Sequence, residues 1–281
     1  MNRIRITLIL LLACLSFPSG ALAQILRVED QKVFTDSLVH DLEFGPYFGL
    51  YKDNYFIAGT NPLHKPTSNN SDVKFQISLQ MRITPPSLPW GTYLFIMYSQ
   101  KAFWDVFKNS MPMHDLNYNP GIGWTKPFFS KGRYVGKLTM LVEHESNGRD
   151  SIQSRSWNRI SFCGSVLVNK NLMVHAKYWI PIVDGENNKD ILDYKGIFQG
   201  GFVYTTDNKR WSFGLTWVKR KGWNLNFNSI WDLTWKISKK SNLDLFVQYY
   251  NGYGESLLDY NKFHSRLRAG IVFKPYFFSE F

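Results

Sequence analysis

The chain has 281 residues, a formal charge of +11 and an aromatic content of 17%. Cys14 and Cys163 are its two cysteines, so a disulfide framework is excluded. Beyond the N-terminal segment, no apolar run reaches the roughly 20 residues that a spanning helix needs, which argues against a helical membrane protein.

The N-terminal segment has the pattern of an export signal. Arg3 and Arg5 precede an apolar stretch at 6–12, and Ala21 to Ala23 form a small-residue cleavage site. We therefore predict a signal peptide at 1–23 and a mature chain at 24–281. An uncleaved anchor helix is disfavoured because the apolar stretch is too short, and a lipoprotein box ending at Cys14 is the weaker alternative.

The basic charge indicates an anionic partner. An exported chain meets anionic lipid headgroups rather than nucleic acid, so we expect a membrane partner and no nucleic acid. The alternative is that loop and lumen lysines only keep the protein hydrated.

Most of the chain alternates between apolar and polar residues, which is typical of β-strands. Apolar residues occupy the odd positions of 73–83, and polar residues occupy the even positions. The same period recurs less strictly near 224–228, 232–237, 242–249 and 266–274. Clusters of Gly, Asn, Asp, Ser and Lys separate these segments and predict turns.

The alternation fits either a soluble β-sandwich or a transmembrane antiparallel β-barrel. Segments of about ten residues, polar faces with both charge signs and the aromatic ending at 276–281 favour the barrel. We predict an all-β, single-domain barrel of about 12 strands in the bacterial outer membrane. Residues 24–45 lack the alternation and are predicted to form an N-terminal extension.

Three polar residues continue apolar stripes that should face lipid. His144 and Ser146 follow Val142 on one stripe, and Asn158 precedes Ile160 on the next. Polar groups on a lipid-facing wall carry a desolvation cost, which favours a reaction on lipid. Ser146 is the candidate nucleophile, His144 the general base, and Asn158 the residue that orients the imidazole.

The segments 144–149 and 154–159, with the sequences HESNGR and SRSWNR, resemble the signature of the outer-membrane phospholipase A family. Further blocks in the same order extend the resemblance over about 47–281. It implies a 12-stranded barrel that hydrolyses sn-1 and sn-2 acyl esters of glycerophospholipids and lysophospholipids, with calcium and as a homodimer.

The resemblance also implies roles for individual residues. Ser146, His144 and Asn158 match the catalytic residues, and the Gly148 N–H matches an oxyanion-hole donor. Calcium ligands would be the Arg149 carbonyl, the Ser154 hydroxyl and, from the other subunit, the Ser110 carbonyl. Gln100 matches a glutamine at the dimer contact, although it could equally be a polar residue that hydrates a strand end.

The sequence departs from the family pattern near the calcium ligands. Ser151 occupies a position that is often acidic in the family, which makes a second calcium site doubtful. The alignment with the family at Ser110 needs a short gap, which makes this calcium ligand the least secure. Glu145, between His144 and Ser146, should face the lumen and is given no catalytic role. Two alternatives stay open, namely a non-catalytic barrel and another barrel hydrolase such as a lipid A deacylase.

Overall fold

The computed structural model describes residues 47–130, 133–222, 224–238 and 241–275. The signal peptide, the extension at 24–45 and the aromatic ending at 276–281 therefore lie outside the described residues. The described part forms thirteen strands: β1 (Phe48–Leu50), β2 (Asn54–Thr60), β3 (Ser71–Arg82), β4 (Tyr93–Trp104), β5 (Met113–Ser130), β6 (Arg133–Ser146), β7 (Ser156–Leu167), β8 (Leu172–Ile182), β9 (Phe198–Thr205), β10 (Trp211–Lys219), β11 (Phe227–Lys236), β12 (Leu243–Gly252) and β13 (His264–Phe273).

The strands close into an antiparallel barrel. Each strand from β2 to β13 pairs with its neighbour in the chain, and β13 pairs back onto β2. The short β1 also pairs with β3, and residues 51–53 separate it from β2. The predicted 12-stranded all-β barrel is thus confirmed, with β1 as one short extra strand.

The outer face of the barrel is mainly apolar, and many polar side chains are buried inside it, which is unlike a soluble domain. On β3, Lys74 and Ser78 are 3% and 0% exposed, whereas Ile77 and Met81 are 46% and 44% exposed. This arrangement is that of a membrane barrel, whose outer wall contacts hydrocarbon. It excludes the soluble sandwich.

Longer loops gather at one end of the barrel, and they span 61–70, 105–112, 147–155, 183–197, 220–226 and 253–263. The opposite end has mostly shorter connections, such as 168–171 and 206–210. In outer-membrane barrels the longer loops are extracellular. In the part of the chain that the structure describes, no helix is long and apolar enough to cross a membrane.

Two of these loops cover the lumen at the long-loop end. The helix α1 (Ile191–Lys195) and the loop 253–263 bring Leu257 and Tyr260 against Trp157 and Trp179 in a buried apolar cluster. The Leu257 N–H donates to Asn117 Oδ1 on β5 at 3.0 Å. This cluster forms a cap beside the strands that carry the candidate site.

Candidate active site

The alternation of β6 and β7 sets which residues face the membrane. Leu138, Met140 and Val142 are exposed on the outer face of β6, and Phe162 and Val166 are exposed on that of β7. His144, Ser146 and Asn158 share the parity of these residues and therefore lie on the same outer face. The side chains sit where the two strands reach the loop 147–155.

The register brings the histidine and the asparagine face to face. His144 is the cross-strand partner of Asn158, and His144 Nδ1 lies 2.8 Å from Asn158 Oδ1. Ser146 lies two residues further along β6 on the same face and is opposite Ser156. Within the described ranges, the Ser146 hydroxyl makes no hydrogen bond, so the structure pairs His144 with Asn158 but does not pair it with Ser146.

Asp184 is a fourth polar residue at this site, and the sequence analysis missed it. Asn158 Nδ2 donates a hydrogen bond of 2.8 Å to Asp184 Oδ2, at the start of the loop after β8. Asp184 continues the outward stripe of Ile180 and Ile182, and Ile182 pairs with Asn158. The signal in the sequence is the parity of Asp184 with Ile180 and Ile182, which places it on the same outer face as His144.

A buried ionic network lies directly behind the site, on the inner faces of β6 and β7. Arg159 Nη1 lies 3.0 Å from Glu145 Oε2, and Arg159 Nε lies 2.9 Å from Glu143 Oε1. Trp157 also donates to Glu145 at 3.0 Å, so Glu145 faces the lumen as expected. These cross-strand bonds fix the β6–β7 register on which the outward side chains depend.

The loop 147–155 is shaped by one asparagine. Asn147 Oδ1 accepts the Arg155 N–H at 3.0 Å, and Asn147 Nδ2 donates to the Gln153 carbonyl at 2.9 Å. Gly148 has a positive φ of 62°, a conformation that suits glycine. A Cβ added there would lie 2.9 Å from Tyr118 Cε2, so Gly148 also permits a close approach of that ring.

The oxygens expected to bind calcium are available on this loop. In the described part of the chain, neither the Arg149 carbonyl nor the Ser154 hydroxyl accepts a hydrogen bond. The Arg149 side chain points elsewhere, since Nη1 donates to Gln153 Oε1 at 2.6 Å and Nη2 donates to the His114 carbonyl at 2.5 Å. Carbonyl and hydroxyl oxygens with water suit calcium, so this donor set fits the ion.

Among the described residues, no group of three or more His, Cys, Asp or Glu side chains could hold a metal. The expected calcium ligands belong to other chemical types, so they fall outside such a group. Ser110 is exposed on the loop 105–112, at the same end of the barrel as Arg149, with a φ of 64°. Within the described part of the chain, Ser110 makes no hydrogen bond to Arg149 or Ser154.

Gln100 lies on the outer wall beside the candidate site. It pairs with Tyr118 on β5, and Tyr118 pairs with Ser146 on β6. Tyr98 donates its hydroxyl to Gln100 Oε1 at 2.9 Å. Two strand spacings of about 4.8 Å therefore separate Gln100 from Ser146 along one row of the sheet.

This combination defines a class. A closed membrane barrel presents Ser146, His144 and Asn158 on its outer wall, with the last two hydrogen-bonded, and these are side-chain types that serine hydrolases use. The family model for phospholipase A1 matches residues 47–273, so the chain belongs to the phospholipase A1 family.

Relatives and solved structures agree with this family. The phospholipase A1 of Klebsiella pneumoniae is 29% identical and covers 97% of this chain and 100% of its own. That of Salmonella typhimurium is 30% identical, covering 95% and 98%. The prediction of an enzyme of the phospholipase class is thus confirmed at the level of the family.

Two solved structures share the fold. Outer membrane phospholipase A from Escherichia coli matches with a TM-score of 0.70 and 27% identity, over 82% of this chain and 99% of that one. The Salmonella typhi outer membrane phospholipase, solved as a dimer with bound calcium, matches with a TM-score of 0.70 and 26% identity, over 87% and 98%.

Proposed function

We propose that this chain is a calcium-dependent outer-membrane phospholipase that hydrolyses sn-1 and sn-2 acyl esters of glycerophospholipids and lysophospholipids. The observation that carries the proposal is the His144–Asn158 hydrogen bond beside Ser146 on the lipid-facing wall of a phospholipase A1 family member. An active-site mutant of the E. coli relative, with asparagine replaced by alanine, has also been solved. Its existence supports a role for an asparagine such as Asn158.

The proposed mechanism follows from the hydrogen bonds of His144. Because Asn158 Oδ1 is an acceptor, His144 carries its proton on Nδ1 and leaves Nε2 free as the base. Nε2 takes the proton of Ser146 while Oγ attacks the ester carbonyl. The protonated imidazole then gives that proton to the departing glycerol or lysolipid oxygen, and water hydrolyses the acyl-serine by the same route.

Asp184 acts as a positioning residue in this proposal. Its carboxylate accepts from Asn158 Nδ2, so the amide oxygen of Asn158 must face His144. A neutral amide cannot stabilise the imidazolium by charge as an aspartate does. Asp184 provides a negative charge one residue further away, partly screened because the residue is exposed.

The oxyanion would be stabilised by the Gly148 N–H, which has no hydrogen-bond acceptor among the described residues. Calcium would be held by the Arg149 carbonyl, the Ser154 hydroxyl and the Ser110 carbonyl of a second copy. When bound, the ion supplies positive charge close to the developing oxyanion. Asn147 holds the loop that presents Gly148 and Arg149.

A homodimer would complete this site. The calcium-bound Salmonella typhi relative is a dimer, and Ser110 in this chain is on a different loop, 105–112, from the other two expected ligands. Gln100, two strands from Ser146, is the proposed polar contact between copies. A single copy would lack one calcium ligand, so dimerisation would switch the enzyme on. We propose export by the signal peptide at 1–23.

The test uses the full chain in detergent micelles with phosphatidylcholine labelled separately at sn-1 and sn-2. Ser146→Ala should lower calcium-dependent acyl release at least about a thousandfold. Ser156→Ala is the matched control, because Ser156 lies opposite Ser146 on the same outer face. Retained hydrolysis by Ser146→Ala would falsify the proposal.

Two further arms separate the alternatives. A chelator should abolish release and added calcium should restore it, and a sulfonyl fluoride should label Ser146 alone. Release of acyl chains from lipid A, with none from phosphatidylcholine, would instead indicate a lipid A deacylase. No release from either lipid would indicate a non-catalytic barrel.

A further inference from the structure

The barrel lumen contains a cavity of about 140 Å³ that is lined by more cationic than anionic side chains. Two carboxylates, Glu145 and Glu255, reach it. The cationic residues that line it are Lys52, Lys74, Lys101, Arg159, Lys177 and Lys195. No part of the proposed hydrolysis uses this cavity.

The carboxylates near the cavity are already shared between cations. Glu145 binds both Arg159 and Lys195 at 3.0 Å. Glu143, on the inner face of β6, binds Arg159 at 2.9 Å and Lys177 at 2.7 Å. Glu255 binds Lys74 at 3.1 Å and is also held by Arg268 at 2.6 Å. Three carboxylates are therefore shared among five cations, and Lys52 and Lys101 are not among these five.

Two of the lysines have no carboxylate of their own. Among the residues that the structure describes, Lys52 and Lys101 make no ion pair and no side-chain hydrogen bond. Lys52 Nζ lies 5.8 Å from the centroid of the Tyr51 ring. Both lysines are half-buried and line the cavity, so an anion that enters the cavity would give them the counter-charge they lack.

We propose that the lumen binds one phosphate-type dianion, either inorganic phosphate or a phosphomonoester. The cavity has room for several waters of about 30 Å³ each, and hence for a small oxyanion with part of its hydration. Lysine point charges and an arginine fork are the groups that bind phosphate oxygens. The excess of cations favours a dianion over a singly charged phosphodiester.

The position of the site gives the anion a structural consequence. Arg159 lines the cavity from the inner face of β7 and is next to Asn158 on the outer face. Glu145 lines the cavity from the inner face of β6, and its two sequence neighbours, His144 and Ser146, lie on the outer face. An anion bound between these strands would therefore stabilise the β6–β7 pair from inside the barrel.

The experiment is calorimetric titration of the full chain in detergent with inorganic phosphate, with a chelator present so that no calcium phosphate forms. We expect one saturable site. Lys101→Met and Lys52→Met should each weaken phosphate binding by about ten- to a hundredfold. Lys236→Met is the matched control, because Lys236 lies on β11 and does not line the cavity.

Thermal unfolding gives a second measurement that does not depend on catalysis. Without phosphate, Lys101→Met should unfold at a higher temperature than the wild type, because one repelling charge is gone. Saturating phosphate should reduce or reverse that difference, since only the wild type gains fully from binding.

Comparison of ligands identifies the source of the anion. Glycerol 3-phosphate that competes with inorganic phosphate indicates a site open to phosphomonoesters, and failure to compete restricts it to the free ion. Glycerophosphocholine, a phosphodiester, should bind more weakly than both. The proposal is overturned if chloride at equal ionic strength has the same effect, if Lys101→Met binds phosphate as well as Lys236→Met, or if the phosphodiester binds most tightly.

Discussion

The chain Asp184–Asn158–His144 makes a quantitative prediction about activity. Asn158→Ala removes the acceptor for His144 Nδ1, which lies 2.8 Å away. A hydrogen bond to a charged group contributes about 1.5–3 kcal/mol, and the imidazole is charged in the transition state. At about 1.4 kcal/mol per tenfold in rate, kcat should fall by roughly 10- to 150-fold.

Asp184→Ala should lower kcat less than Asn158→Ala does. Asp184 is exposed, so its 2.8 Å hydrogen bond to Asn158 competes with water. We expect a loss of about 0.5–1.5 kcal/mol, or about two- to twelvefold in kcat. Because Asp184 acts through Asn158, it should have no effect once Asn158 is alanine. The double variant should thus match Asn158→Ala alone.

The assay is a complete double-mutant cycle in mixed micelles with saturating calcium, with kcat and KM measured separately. Asp184→Asn is the conservative control, since its amide oxygen can still accept from Asn158 Nδ2. A loss confined to KM, or fully additive losses in the double variant, would refute the positioning role. Unchanged activity in Asn158→Ala would refute the assigned orientation of His144.

Three further predictions concern the scaffold. Gly148→Ala should reduce kcat by about a hundredfold or more. Alanine is strained at the left-handed φ of 62°, and its Cβ would lie 2.9 Å from Tyr118, so the loop would shift and displace the oxyanion donor. Wild-type kinetics in this variant would contradict the assignment. Arg159→Met should lower the free energy of unfolding by about 3–5 kcal/mol in a urea titration, because it leaves buried carboxylates unpaired. The hydrogen bond from His114 holds the pKa of Asp259, in the loop 253–263, well below its ordinary value of 3.8. The ionised form therefore stabilises the fold fully above that pH, and this contribution is lost gradually as the pH falls from there through the lowered pKa. Asp259→Asn should lower the thermal midpoint more at pH 6 than at pH 2, and an equal difference at both pH values would count against the pair.

The fold was predictable because the membrane imposes a simple rule on the sequence. The alternation of 73–83 indicated which residues of β3 face outward, and the structure places Ile77 outside and Lys74 inside. The strand boundaries were predicted less accurately than the orientation of the side chains. The cluster of Ser, Asn and Asp at 68–72 predicts a turn, yet β3 begins at Ser71, because its polar first residues pair with β2.

The candidate site was only partly predictable from the sequence. Parity alone placed His144, Ser146 and Asn158 on one face, but their pairing depends on register. The register is fixed by the inner network of Arg159 with Glu143 and Glu145, whose contacts no local pattern shows. For Asp184, parity along β8 predicts the outer face, but its bond to Asn158, 26 positions away, depends on the β7–β8 register.

The side chains of a lipid-facing site are held in place mainly by contacts that their strands make inside the barrel. The outer face of a barrel offers few polar neighbours, and here His144 has Asn158 and a backbone bond from Asn119, whose Nδ2 donates to the His144 carbonyl at 2.7 Å. Because side chains alternate, each catalytic candidate on β6 has an inward neighbour anchored in the lumen. A buried ion pair in the lumen contributes little net stability, since desolvation offsets the attraction. Its value in this barrel is geometric, because it holds the strand register that lets two side chains meet on a surface where lipid cannot hold them.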